Sequence, residues 1–217
     1  MALRLHGRGR FRRWLGGVLG GDEELGDRAY RRLLHLLGAA VLIYYPLPDN
    51  FFVIAPKVYV LLAAFAAMVV LEVLRHTAGL ELPTIRPYER HRIASFVFYA
   101  LALVLAVLVF PLPIGAAVVL GTAAVDPIAG ELRRRGGSSL VTVGVPLVVY
   151  GLLAFVGLAV IGSWPIGFAV LFAACAAPIA VAAERPKWPW VDDDLVMTLA
   201  PGLFLLVAEV WALGGPW

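Results

Sequence analysis

Two acidic segments stand out because each sets carboxylates against an otherwise apolar chain. The first reads Val125-Asp126-Pro127-Ile128-Ala129-Gly130-Glu131-Leu132-Arg133-Arg134-Arg135-Gly136-Gly137. Its chemistry suits a cation bound together with phosphate. Asp126 and Glu131 offer oxygen ligands to Mg²⁺ or another divalent ion, while the Gly130 N–H and Arg133, Arg134 and Arg135 offer donors to phosphate oxygens. Asp126 directly precedes a proline, which disfavours helical geometry there and leaves backbone groups to face a ligand. The three arginines alone read equally well as a charge run that sets membrane orientation. That reading leaves Asp126, at the end of a long apolar stretch, unexplained. The second segment places Asp192, Asp193 and Asp194 just before the last apolar run. A helix N-terminus accepts acids through its dipole, but three in a row exceed what one cap needs, and their mutual repulsion favours a bound cation.

Other pairs are spaced to share a helix face. Arg32 and His35 are three residues apart at the mouth of the first apolar run, facing a phosphate or a headgroup or acting as an anchor and an interfacial histidine. Glu72 and Arg75 have the same spacing at the end of the second run. An isolated carboxylate there is costly, so Glu72 needs a partner. Arg75 is that partner in a structural pair, or else Glu72 orients a catalytic group or a metal. The segment from Glu81 to Arg92 adds Arg86, Arg90 and Arg92 as phosphate donors or as a basic rim on anionic lipid, with Thr84, Tyr88 and His91 nearby. The chain contains no Gly-x-x-x-x-Gly-Lys-Ser/Thr, Gly-x-Gly-x-x-Gly, Gly-x-Ser-x-Gly or His-Glu-x-x-His motif.

The elements that must position these groups are membrane helices. Of 217 residues, 61% are hydrophobic and 15% charged, a balance far from the roughly 25% charged of soluble chains. Apolar runs fall at Leu33 to Leu47, Val58 to Leu74, Ile93 to Phe110, Ile114 to Ala129, Leu140 to Ile161, Pro165 to Ala183 and Val196 to Leu213. Several are shorter than the ~20 residues of an untilted span, so helices extending into polar flanks are expected. The expected fold is all-α, a polytopic bundle of about seven transmembrane helices. Placing the N-terminus in the cytoplasm puts every Lys and Arg except Lys57 on the inner side. Residues 1–30 then form a basic cytoplasmic arm without the shape of a secretory signal, and residues 31–217 form one membrane domain. The single cysteine, Cys175, allows no intrachain disulfide and reads as a small packing residue. Most candidate chemistry faces one side, as in a membrane enzyme rather than a transporter with mid-membrane charges.

In order and spacing these pieces resemble the integral-membrane family of dolichol kinase, phytol kinase and CTP-dependent diacylglycerol kinase, related more distantly to phosphatidate cytidylyltransferases. The resemblance rests on Arg32, His35 and Gly38; on Glu72 and Arg75; on Asp126, Ala129 and Gly130; and on Asp192, Asp193, Asp194 and Leu195 before Pro201 and Gly202. It spans the chain from about Arg31 onwards. Val125 stands where the family has Gly, and Asp194 where it has Asn. The resemblance implies transfer of the terminal phosphoryl group of CTP to a lipid alcohol, of dolichol or polyprenol type first, at the cytoplasmic face. It implies Mg²⁺-nucleotide ligation by Asp126, Asp192, Asp193 and Asp194, with Glu131 assisting and Asp126, Glu72 and Asp193 as catalytic residues. His35, Arg75, Arg90, Gly130, Arg133, Arg134 and Arg135 would contact the nucleotide, with Glu72 and Arg75 bracing the site. A cytidylyltransferase releasing pyrophosphate, and a small transporter or scaffold with purely topogenic charges, remain open. No nucleic-acid partner is expected, and the oligomeric state is undetermined.

Overall fold

A computed structural model describes residues 32–50, 56–80, 85, 89, 91–184 and 190–214. The N-terminal arm, Arg86, Arg90 and Lys187 lie outside the described residues. Among these residues every regular element is a helix. In chain order they are α1, Arg32–Tyr44, whose second half is wound as a 3₁₀ helix; α2, Lys57–Thr77; and α3, Ser95–Val109. There follow α4, Leu112–Arg134; α5, Ser139–Ile161, ending in a π-helical turn; α6, Ile166–Ala183; and α7, Asp193–Leu213. Prolines begin α2, α4 and α6, with Pro56, Pro111 and Pro165 at their caps. Their fixed φ suits a helix start, and their missing N–H is no loss there.

Five helices, α2, α4, α5, α6 and α7, are long and apolar enough to cross a membrane. α1 and α3 are apolar but shorter; the 15 residues of α3 rise only about 22 Å at 1.5 Å each. Each apolar run read from the sequence corresponds to one helix. The expected extension into polar flanks also occurs, since α4 ends at Arg134 and α7 begins at Asp193. Large apolar side chains cover the outer surface, among them Leu37, Val148, Leu152, Val170 and Val207. A bundle in lipid needs such a surface, whereas a water-soluble one would hide it.

α4 is the central element and packs against α1, α3, α5 and α7. Its approach to α5 is close because small residues meet there. A Cβ on Gly157 would lie 2.7 Å from the backbone nitrogen of Ala117, and one on Gly121 would strike the Tyr150 ring at 2.5 Å. Two expectations are overturned in this part of the bundle. Asp126 does not interrupt a helix: α4 runs through Pro127 unbroken. The proline removes one donor, that of the Ala123 carbonyl, and helices packed around α4 hold its axis through the gap. Cys175 does not pack inside either; it is exposed on the outer face of α6, while Ala173, Ala176, Ala177 and Ala180 face inward.

Chain alternation gathers the start of α1, the ends of α2, α4 and α6, and the starts of α3, α5 and α7 at one end of the bundle. Ion pairs between these segments mark it as the polar end: Arg32 with Glu131, Arg92 with Asp192, and Arg133 with Glu184. The opposite end is sparser. There Lys57 pairs with Asp49 at 3.3 Å, donates to the Leu47 carbonyl at 2.6 Å and lies over the Tyr44 ring.

Candidate functional site

Three helices bring one chemical group each to a common gap. His35 comes from α1, Asp126 from α4 and Asp194 from the first turn of α7. Their ligand atoms all lie within 4.8 Å of one another. His35 Nδ1 is 3.8 Å from Asp126 Oδ2, and Nε2 is 3.9 Å from Asp194 Oδ2. These separations exceed the roughly 2.7–3.2 Å of direct hydrogen bonds. They match groups arranged around a guest, since ligands about 2.1–2.3 Å from one ion stand roughly 3.0–4.6 Å apart. His35 and Asp194 are buried, and Asp126 is partly open.

Local structure fixes each member. The Tyr99 hydroxyl donates to the His35 backbone carbonyl at 2.7 Å, and the two rings pack with centroids 4.4 Å apart. A Cβ on Gly38 would strike the Tyr99 hydroxyl, so the absence of a side chain there lets α1 and α3 meet. Asp192 caps α7 by accepting the Asp194 N–H. The Thr198 hydroxyl, one turn further along α7, donates to the Asp194 carbonyl at 2.9 Å and lies 3.2 Å from the Thr122 hydroxyl. Thr122 is one turn before Asp126 on α4. Both threonines are fully buried, so they form a polar floor joining α4 to α7 beneath the two carboxylates. Gly130, one turn beyond Asp126, has open space where a Cβ would stand.

The other candidates are placed differently. Glu72 accepts a two-pronged bond from Arg75, Nε to Oε2 at 2.8 Å and Nη2 to Oε1 at 2.6 Å. It also accepts the Ala94 N–H at 2.9 Å, while Arg75 donates to the Arg92 carbonyl at 2.7 Å. Together they clamp the end of α2 to the segment leading into α3. Glu131 accepts from Arg32, Arg134 and Arg135, which places it in a rim network rather than in the His35 gap. Arg133 pairs with Glu184 at 2.5 Å. Glu184 is buried, and burial raises its carboxyl above the ordinary value despite Arg133; the charges of Asp126 and Asp193 act in the same direction. Asp193 thus stands near Glu184, half-buried in the first turn of α7.

The donor set fits a divalent cation. Two carboxylates supply hard oxygen ligands, and one imidazole adds a nitrogen that Mn²⁺-type ions accept more readily than Mg²⁺. The ring stands between both carboxylates, with Nδ1 towards Asp126 and Nε2 towards Asp194. Thr122, Thr198 and Tyr99 were not singled out in the sequence. The signal was present in the two threonines, polar residues one helical turn from Asp126 and Asp194 inside apolar runs. Comparison with known proteins yields no matching family model, curated protein or solved structure.

Proposed function

We propose that the chain is a seven-span, N-in membrane lipid kinase that transfers the terminal phosphoryl group of CTP to an isoprenoid alcohol at the cytoplasmic face. The observation that carries this reading is the His35–Asp126–Asp194 gap at the polar end of an apolar bundle. Phosphoryl transfer requires positioning and charge neutralisation rather than covalent catalysis. A divalent cation bound there would neutralise phosphate charge and hold the transferring group. Asp126 and Asp194 supply its oxygen ligands, His35 supplies a nitrogen, and Tyr99 and the threonine floor keep the three aligned. Arg135 has 72% of its side chain exposed while donating to Glu131, so it presents guanidinium donors to phosphates arriving at the rim. The alcohol oxygen forms the new bond to the γ-phosphorus as the β–γ bridging oxygen leaves with CDP. The hydroxyl proton passes to a base at the site. A lipid whose tail lies among the apolar helices brings its hydroxyl to this boundary. The gathering of ionisable side chains at one end favours an enzyme over a transporter, which needs them along a path between the faces.

The test incubates full-length protein in lipid nanodiscs with CTP labelled at the γ-phosphate, Mg²⁺ or Mn²⁺, and polyprenol, phytol or diacylglycerol. Label on the lipid is the expected result. Label in pyrophosphate replaces the reading with a cytidylyltransferase, and absence of turnover with every lipid overturns it.

A further inference from the structure

Three arginines from separate places meet at one point of the polar end. Arg32 at the start of α1 and Arg134 and Arg135 at the end of α4 converge on Glu131, with Arg32 on Oε2, Arg135 on Oε1 at 2.6 Å and Arg134 across both oxygens. Three guanidiniums against one carboxylate leave a surplus of two positive charges. Glu131 is saturated by its arginines, but they are not saturated by it. Among the described residues Arg135 engages Glu131 through Nε alone and Arg32 through Nη2 alone, so both terminal amino groups of Arg135 and most donors of Arg32 are open to another oxygen. The neighbouring Arg133 is engaged elsewhere, by buried Glu184.

The surface below the cluster shows which anion it suits. α4 is buried along most of its length, but Leu120, Ala124, Ile128 and Glu131 are half-buried. Their spacing of four, four and three residues places them on one stripe, which climbs α4 to the arginines. On α1, Leu36 stands one turn inside Arg32 and is 52% exposed. Apolar side chains open to the outside thus descend from a cationic rim. A free phosphate would use only the rim, whereas a phospholipid uses both parts, its phosphate on the guanidiniums and an acyl chain along Leu36 and the stripe.

We propose that Arg32, Arg134 and Arg135 form a headgroup site for an anionic phospholipid of the leaflet at the polar end, separate from the His35 gap. Guanidinium groups bind the non-bridging oxygens of a phosphate through parallel N–H donors. Glu131 acts as the template. By holding three long side chains together before a lipid arrives, it lowers the cost of ordering them on binding. The surplus charge sets the preference, because a zwitterionic headgroup brings its own cation towards the arginines while an anionic one does not. No residue of the His35 gap takes part, so the site stands whether or not the chain transfers phosphate.

The test titrates full-length protein in micelles of a neutral detergent with phosphatidylglycerol or phosphatidylcholine and counts bound lipid by native mass spectrometry. Inorganic phosphate is then added as a competitor. Wild type should bind phosphatidylglycerol about tenfold more tightly than phosphatidylcholine. Arg135→Gln, at a side chain 72% exposed and so of little weight in folding, should weaken phosphatidylglycerol by about fivefold and leave phosphatidylcholine unchanged. Arg32→Gln should do the same from the other helix. Lys57→Gln, which removes a charge at the opposite end, should match wild type. Equal binding of the two lipids by wild type, phosphatidylglycerol affinity unchanged in both arginine variants, or an equal loss in Lys57→Gln overturns the site. Displacement of phosphatidylglycerol by equimolar inorganic phosphate overturns the lipid as its occupant in favour of free phosphate.

Discussion

Carboxylates at the polar end of the bundle are used in two ways. Glu72 and Glu131 are in direct contact with guanidinium groups, two-pronged in one case and threefold in the other. Asp126 and Asp194 converge on one imidazole, 3.8 and 3.9 Å from its two nitrogens. A guanidinium in contact satisfies a carboxylate and fixes two segments together, leaving no room for a further ligand. The ligand atoms of His35, Asp126 and Asp194 stand within 4.8 Å of one another, a spacing that one bound ion can bridge. The contrast separates the clamping carboxylates from those of the proposed site, and each half of it can be broken by substitution.

The largest expected effect comes from Asp126→Asn, which keeps the shape of the side chain and removes its charge. Turnover should fall by about 10³-fold or more, with the unfolding transition in detergent close to that of wild type. Glu131→Gln is its counterpart and should keep turnover within about tenfold, because its arginines remain beside solvent. Equal losses in the two variants would erase the distinction between gap and rim.

Glu72→Gln attacks the architectural half. Glu72 and Arg75 are 6% and 9% exposed, so removing one charge leaves the other buried and uncompensated, at a cost of about 3–5 kcal/mol. Thermal unfolding should show this directly, and replacing both residues by Met should recover much of it. A Glu72→Gln protein with wild-type stability and no turnover would move Glu72 from the clamp into the chemistry.

A subtler change is Thr122→Val, which removes one hydroxyl from the floor beneath Asp126. The expected cost is about 1 kcal/mol, since Thr198 keeps its bond to the Asp194 carbonyl. Loss of metal affinity well beyond that of a neutral surface substitution would show that the floor also aligns the carboxylates.

The two halves were unequally legible in the sequence. The Glu72–Arg75 pair could be read because its partners share one helix turn and an apolar setting demands a partner for Glu72. Helix positions could be read because the apolar runs are long and prolines punctuate them. The gap could not be assembled in the same way, since His35, Asp126 and Asp194 are far apart in the chain and meet only through packing of α1, α4 and α7. Periodicity gave no help where nearly every residue is apolar, which is also why the exposure of Cys175, read as a small packing residue, was not foreseen. At Asp126, the local steric rule for a residue before proline lost to the helices packed around α4. For the same reason the three aspartates looked equivalent in the sequence, yet Asp192 caps α7 and pairs with Arg92 while Asp194 turns towards His35.

Glu184 lies between the two classes and supplies the smallest test. It touches Arg133, as a rim carboxylate does, yet it is buried, and burial raises its carboxyl above the ordinary value. The unfolded chain therefore gives up this proton at lower pH than the folded one. Its contribution to stability is complete below the ordinary carboxylate pKa and is lost as pH rises through the higher folded value. Unfolding midpoints measured from acid to neutral pH should accordingly decline less in Glu184→Gln than in wild type over that window. If the variant instead loses stability as pH rises more steeply than wild type, Arg133 outweighs burial. Glu184 would then belong with Glu72 among the carboxylates whose charge is fully met by arginine.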